Sequence, residues 1–266
     1  MTPRPGGPPP YVSTGTGEPV LLLPPAATRA TIWELHQAPA LRAAGHRVLT
    51  TDHRGTTEEH AAEGQWRFAD LVADAARLVQ HAAGGPCHLV GASLGAMVAQ
   101  RLAVVRPDLV RSLTLLGTRA RTPRFVAASV EALAEAARSG KVPVDYAATS
   151  TMLQLFAPAT LLDDRFAGEW LDLMTLSPVT GEGAALQYQA TLAVDAGRDE
   201  LSAVACPTLV VAFPYDAVTP PALGAEVAAA IDGARYEEVA GCGHFGFIER
   251  PAEVNRLLVD FLADVD

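Results

Sequence analysis

Lysine is nearly missing from this 266-residue chain: Lys141 is the only one, and arginine supplies the rest of the basic charge. With 20 basic residues against 30 acidic ones the formal net charge is −10, and no run of Lys and Arg occurs. Nucleic acid and anionic membranes need a clustered positive surface, so neither is expected as a partner. Cysteine is equally sparse. Cys87, Cys206 and Cys242 stand far apart, odd in number and without a C-x-x-C pair, which argues against a disulfide framework or a thiolate metal site. No metal site is expected elsewhere either. Apolar runs fall short of the ~18 residues that a membrane-spanning helix requires. The opening MTPRPGGPPPYVSTGTG has no apolar leader core, so the expectation is a cytoplasmic protein with a short floppy N-terminal stretch.

Apolar residues make up 49% of the chain and charged ones only 19%, enough to build a sizeable core and to exclude a disordered chain. Strand-length apolar runs recur at Pro19–Leu23, Arg47–Thr51, Pro86–Val90, Ser112–Leu116, Thr208–Ala212 and Arg235–Val239. Four are almost continuously apolar, as strands buried on both faces of a parallel sheet must be. Helical spacing links Phe68, Leu71, Val72, Ala75, Leu78, Val79 and Ala82, and again Val254, Leu257, Leu258, Phe261 and Leu262. Alternation of this kind predicts an α/β fold with a mostly parallel sheet and helices on both faces. From 121 to 200 only helical segments are expected, at Ala127–Ala137, Leu161–Leu176 and Gly183–Val194. A helical insertion between two parallel strands reads as a cap or lid over the sheet's carboxyl edge, where open α/β sheets bind ligands. The expected organisation is a discontinuous core of 1–120 and 201–266 with a cap of 121–200.

The strongest chemical signal is Gly91-Ala92-Ser93-Leu94-Gly95, directly after the strand CHLV and directly before the apolar stretch LGAMVAQRLAVV. A G-x-S-x-G between strand and helix is the setting of a nucleophile elbow, which lifts a serine to the top of the sheet. The alternative is a glycine-lined packing turn with a structural serine. A free hydroxyl is a weak nucleophile, so a base and an orienting acid should follow. Of seven histidines, only His244 sits in a glycine-punctuated loop after the last strand. His88 falls inside a strand and reads as core, and most of the others, at 36, 46, 53, 60 and 81, read as surface residues. Asp216 lies four residues past TLVVA, where its carboxylate can reach a histidine Nδ1–H. It could instead be a turn or helix-capping residue before Pro220-Pro221. The other strand exit that could hold an acid, Gly117-Thr118-Arg119, has no carboxylate.

On these residues the chain resembles the α/β-hydrolase superfamily, whose triad runs Ser, Asp, His in chain order. Asp52-His53-Arg54-Gly55, Arg106–Leu116 and His244–Asn255 agree with it, and the likeness spans nearly the whole chain. It is most similar to small capped enzymes of the esterase, enol-lactonase and cofactor-free haloperoxidase kind. The resemblance implies catalytic Ser93, Asp216 and His244, no cofactor, and an oxyanion hole from the backbone N–H groups of Ala26 and Leu94. Three features depart from the pattern. Leu23-Pro24-Pro25-Ala26 replaces the usual His-Gly before the oxyanion donor, Phe213 replaces a glycine three residues before the acid, and Thr56-Thr57-Glu58-Glu59 follows the Arg-Gly turn without the usual Gly and Ser.

Around the site, Trp33, Phe156, Trp170, Met174 and Tyr188 are candidate pocket walls, an apolar lining if they face Ser93 and ordinary core, with Met152 and Leu153, if they do not. Cys242 reads as a small buried residue. The expected function is hydrolysis of an ester, lactone or thioester of a small-to-medium, mainly apolar substrate through an acyl-enzyme, by a monomer or homodimer. Carbon–carbon cleavage, perhydrolysis, elimination or cyclisation on the same scaffold is the alternative, because Pro24-Pro25 could weaken an oxyanion hole. A silent scaffold that only binds ligand is a third reading, against which the intact trio argues.

Overall fold

Leu21 and Leu23 pack into one core and Val20 and Leu22 into another, although the four are consecutive and all buried. Side chains alternate across a strand, so this stretch must lie inside a sheet covered on both faces. A computed structural model describes residues 7–57, 66–193 and 198–265. Its seven-stranded sheet has the order β1-β3-β2-β4-β5-β6-β7. The strands are β1 (Val12–Thr14), β2 (Pro19–Leu23), β3 (Arg47–Thr50), β4 (Cys87–Ala92), β5 (Val110–Leu116), β6 (Thr208–Ala212) and β7 (Arg235–Glu238). All neighbours pair in parallel except β1 with β3. The α/β fold with a mostly parallel sheet is therefore as expected from the alternation of patterns.

Six strands lie where the apolar runs place them, with ends shifted by a residue or two. The seventh corrects the reading of the N-terminal stretch as floppy. Val12 pairs with Thr50 and Thr14 with Val48, and the Thr51 hydroxyl donates to the Pro10 carbonyl. Two of the three β1 residues are exposed, so no buried apolar run advertises this edge strand.

One face is covered by α2 (Phe68–Leu78) and α3 (Leu94–Val105), the other by α1 (Gln37–Ala43) and α11 (Pro251–Val265). Leu71, Val72, Ala75 and Leu78 are the buried stripe of α2, and Val254, Leu257, Leu258, Phe261 and Leu262 that of α11. Each such leucine or phenylalanine contributes about 1.5–3 kcal/mol by leaving water. Between β5 and β6 the described chain holds helices and no strand: α4 (Arg124–Ser139), α5 (Val144–Leu155), α6 (Asp164–Leu176), α7 (Glu182–Leu192) and α8 (Arg198–Leu201). The sequence pattern does not single out α5, where only Ala148 and Met152 are buried. Val194, expected in the helix from Gly183, lies outside the described residues, as do Glu58, Glu59 and His60. Three further helices complete the set used below: a 3-10 turn at Ala30–Leu35, α9 (Pro221–Ala230) and α10 (Gly246–Glu249). Among the described residues no helix is long and apolar enough to cross a membrane.

The order of strands reverses between β2 and β4, since β3 lies to one side of β2 and β5 to the far side of β4. Such a switch point opens a crevice at the carboxyl ends of the strands. The loops that carry Ala26 and Ser93 leave from its two sides.

Candidate active site

Ser93 stands between the end of β4 and the start of α3 with φ 52° and ψ −116°. A left-handed φ at a non-glycine residue costs roughly 1–2 kcal/mol, and the elbow's surroundings enforce it. A Cβ on Gly91 would come within 2.3 Å of the Gly95 carbonyl oxygen, and one on Gly95 within 2.0 Å of that of Leu23. Both flanking glycines are thus required by backbone contact. The Ser93 N–H donates to the Leu116 carbonyl at 2.9 Å, which ties the elbow to the end of β5. Leu94 is the first residue of α3, so its N–H has no intrahelical acceptor and the helix's positive end lies at the elbow.

The next residue after Leu116 brings the rest of the site in. Gly117, at φ +59°, would carry a Cβ 3.2 Å from Asp216 Oδ2 and 3.4 Å from His244 Cε1. Asp216 Oδ2 lies 2.7 Å from His244 Nδ1. The Asp216 carboxylate also accepts from the N–H groups of Val218 (2.8 Å) and Thr219 (2.7 Å) and from the Thr219 hydroxyl (2.7 Å). One carboxylate thus closes its own turn and contacts the histidine, two arrangements that the sequence offers as alternatives. With Nδ1–H directed at a carboxylate, the imidazole leaves Nε2 as a proton acceptor. Ser93, Asp216 and His244 are all buried.

Phe213 does not divert the acid loop. Its ring occupies the space that a Cβ on Gly246 would need, 2.3 Å away, and the Asp216 N–H still closes its turn onto the Phe213 carbonyl at 2.9 Å. A bulky residue before the acid is matched by a missing side chain after the histidine.

Two histidines read as surface residues are instead buried, His46 and His53. His53 sits under the candidate oxyanion segment. The Pro24 carbonyl accepts from His53 Nε2 (2.9 Å) and from the Gly95 N–H (3.1 Å), and the Ala30 N–H donates to Asp52 Oδ1 (2.6 Å). Burial pushes the His53 imidazole down to about 4, so it is a neutral donor near neutral pH. Arg54 pairs with Asp74. The polar run Asp52-His53-Arg54 is thus a brace for the Pro24-Pro25 segment and for α2. Ala27, next to the expected donor Ala26, has φ 55°.

Buried polar groups also tie the helical insertion to the core. Gln187 on α7 accepts from the Ala27 N–H at 2.6 Å and donates to the Arg54 carbonyl and the Thr56 hydroxyl. Glu249 accepts from the Ala157 N–H (2.9 Å) after α5 and from the Gly243 N–H (2.6 Å) beside His244. Arg119, fully buried, donates to the Thr191 carbonyl at 2.9 Å. Burial pushes its guanidinium down to about 10, against the attraction of Asp216. Sequence reasoning passes over all three, because a lone Gln, Glu or Arg in helical or loop context reads as a solvated residue.

The candidate wall residues separate into two places. Trp33 stacks on Phe247 (5.1 Å), Phe247 meets Phe245 (5.1 Å), and Phe245 meets Phe156 (6.0 Å) and Trp170 (6.3 Å). Met174 packs on that cluster as well. The aromatics thus run from the sheet to the insertion past the neighbour of His244. Tyr188 packs instead against a small alanine cluster, as does Ala27, and burial pushes its phenol up to about 12. Leu153 corrects the expectation of a covered residue, being 71% exposed. Cys242 is buried with its thiol donating to the Val239 carbonyl, the small core residue expected.

Residues 18–251 match the family described as alpha/beta hydrolase fold. The provisionally named non-heme bromoperoxidase BpoC of Mycobacterium tuberculosis is 38% identical over 257 residues, 96% of this chain and 97% of that one. Its crystal structure superposes with a TM-score of 0.91, covering 97% and 96% of the two chains. A thermophilic esterase from Thermogutta terrifontis gives a TM-score of 0.82 at 28% identity, over 96% of this chain and 93% of its own. The provisionally named carbamate hydrolase RutD of Azorhizobium caulinodans is 27% identical over 96% of this chain and 95% of its own.

Proposed function

The chain belongs to the alpha/beta hydrolase fold family, and from that premise we propose that it is a serine hydrolase cleaving an ester, lactone or thioester of a small-to-medium, mainly apolar substrate. The observation that carries the reading is the 2.7 Å contact of His244 Nδ1 with Asp216 Oδ2, made against Gly117, the residue after the Leu116 carbonyl to which the Ser93 elbow is tied. His244 Nε2 takes the Ser93 proton as Oγ attacks the carbonyl carbon. Charge on the carbonyl oxygen is held by the Ala26 and Leu94 N–H groups. The imidazolium, stabilised by Asp216, returns the proton to the leaving alcohol, thiol or ring oxygen. Water activated by His244 then hydrolyses the acyl-enzyme and frees Ser93. The insertion caps the carboxyl edge in this reading, and its Phe156, Trp170 and Met174 supply an apolar wall.

Labelling by a fluorophosphonate and turnover of p-nitrophenyl esters test the proposal. Both should occur in the wild type and vanish in Ser93→Ala. If neither occurs in the wild type, or both persist in the variant, the reading is wrong. The similarity to BpoC favours a second reading, non-hydrolytic chemistry on the same scaffold. Ser93→Ala retaining turnover of the physiological substrate would select it.

A further inference from the structure

The expected oxyanion donor, the Ala26 N–H, belongs to the Pro25–Ala26 peptide, and that peptide is held from both sides. On one side the Pro24 carbonyl is fixed by two donors, the Gly95 N–H at 3.1 Å and His53 Nε2 at 2.9 Å. The Pro25 ring then restricts its own φ to about −65°. On the other side the Ala27 N–H is taken by Gln187 Oε1 at 2.6 Å. Ala27 itself sits at φ 55°, a conformation that an alanine keeps only where its surroundings enforce it.

Gln187 is well suited to that duty. Its side chain is fully buried and its amide is saturated, with Nε2 donating to the Arg54 carbonyl (2.8 Å) and to the Thr56 hydroxyl (2.9 Å). Flipping the amide would set an NH2 against the Ala27 N–H, so its orientation is unique. The position of α7 is equally constrained. Gly55 and Gly183 touch backbone to backbone, and a Cβ on Gly183 would stand 2.2 Å from the Gly55 carbonyl oxygen. Glycine on both segments lets α7 approach the turn after β3 closely enough for Gln187 to reach across.

We propose that Gln187 is a positioning residue for acyl transfer: by holding the Ala27 N–H it sets the direction of the Ala26 N–H, so that docking of the helical insertion and stabilisation of the oxyanion are one event. The inference rests on the serine-hydrolase reading above. It adds that a residue of the insertion, outside the Ser-His-Asp trio and the donors themselves, controls the chemical step rather than substrate binding.

The test compares wild type, Gln187→Met and Gln187→Glu in the full chain, with p-nitrophenyl butyrate as substrate and phenylboronic acid as inhibitor. The boronic acid forms a tetrahedral adduct on a nucleophilic serine and reads oxyanion stabilisation directly. Gln187→Met should lower kcat about tenfold to a hundredfold with KM nearly unchanged, and raise the boronate Ki by a similar factor. Gln187→Glu keeps an acceptor for Ala27 N–H and should retain more kcat than the Met variant. A purely structural role predicts the reverse order, since a buried carboxylate is worse tolerated than a methionine. Unchanged kcat, or a fall in kcat with no rise in the boronate Ki, overturns the proposal. Should Gln187→Met fail to fold, Thr56→Val removes one acceptor of the Gln187 amide and should raise the boronate Ki about threefold, a modest loss for one neutral hydrogen bond. No rise there is equally decisive against it. A wild type that neither cleaves the ester nor binds the boronate defeats the serine-hydrolase reading and this inference with it. If the wild type does both and Gln187→Met matches it, only the inference falls.

Discussion

Asp216 gives one carboxylate oxygen to His244 and the other to the backbone of its own loop. Oδ2 lies 2.7 Å from His244 Nδ1 and accepts from the Thr219 hydroxyl, while Oδ1 accepts from the N–H groups of Val218 and Thr219. The two amide donors allow only an oxygen at Oδ1. In Asp216→Asn the NH2 must therefore face His244 Nδ1 and impose the tautomer protonated on Nε2, which cannot accept a proton from Ser93. Steady-state hydrolysis of p-nitrophenyl butyrate should fall by about four orders of magnitude in kcat. Near-wild-type activity of this variant would exclude His244 as the base.

Gly117 should tolerate no side chain. Its φ of +59° favours glycine, and an added Cβ would stand 3.2 Å from both Asp216 Oδ2 and Thr219 Oγ1. Gly117→Ala is expected to lose about 1–2 kcal/mol from the backbone conformation alone. It should also lower kcat by displacing the acid. Thermal unfolding and ester turnover check the two effects separately, and Gly117→Val should be worse in both.

Glu249 joins the histidine loop to the insertion through two backbone N–H groups. Truncation in Glu249→Ala leaves the Gly243 and Ala157 donors without their acceptor in a buried place. A loss of roughly 2–4 kcal/mol is expected, read as a lower urea midpoint. A midpoint within error of wild type would mean that water replaces the carboxylate.

His53 makes stability depend on pH. Its folded-state value is held at about 4 by burial, below the ordinary 6.5. The unfolded chain thus binds a proton that the folded one refuses as pH falls between these values. Above about 6.5 the group costs nothing. Below that, stability drops by about 1.4 kcal/mol per pH unit from this residue, down to about 4. His53→Gln keeps an N–H for the Pro24 carbonyl but does not titrate. Urea unfolding at pH 7 and pH 5 should show a shallower loss in the variant, and an equal loss would refute the assignment.

Much of the fold was legible because strands buried on both faces must be almost continuously apolar. PVLLL, PCHLV and TLVVA have no other comfortable environment, and the helices beside them show their stripes. The Val12–Thr14 strand was not legible, because an edge strand with one neighbour needs little apolar surface. At the site, Ser93 and His244 stand out through the glycines around them, whose absence of side chains is a local requirement of tight turns. Asp216 stands out through its place after a strand. His53, Gln187 and Glu249 gave no such signal. Each has an ordinary polar neighbourhood in sequence, and each is buried only because a second segment, 29, 160 or 92 residues away, closes over it.

The scarcity of lysine and cysteine and the lack of a long apolar run set the expectations about partners, since those properties are summed over the chain and need no geometry. Local pattern likewise determined where the strands, the elbow and the candidate nucleophile, base and acid lie. Only the tertiary structure decided which carboxylate oxygen meets His244, how Gly246 makes room for Phe213, and what braces the Pro24-Pro25 segment. These are contacts between segments distant in sequence, made at separations of about 3 Å where hydrogen-bond energies change steeply, and no local pattern encodes a distance of that kind.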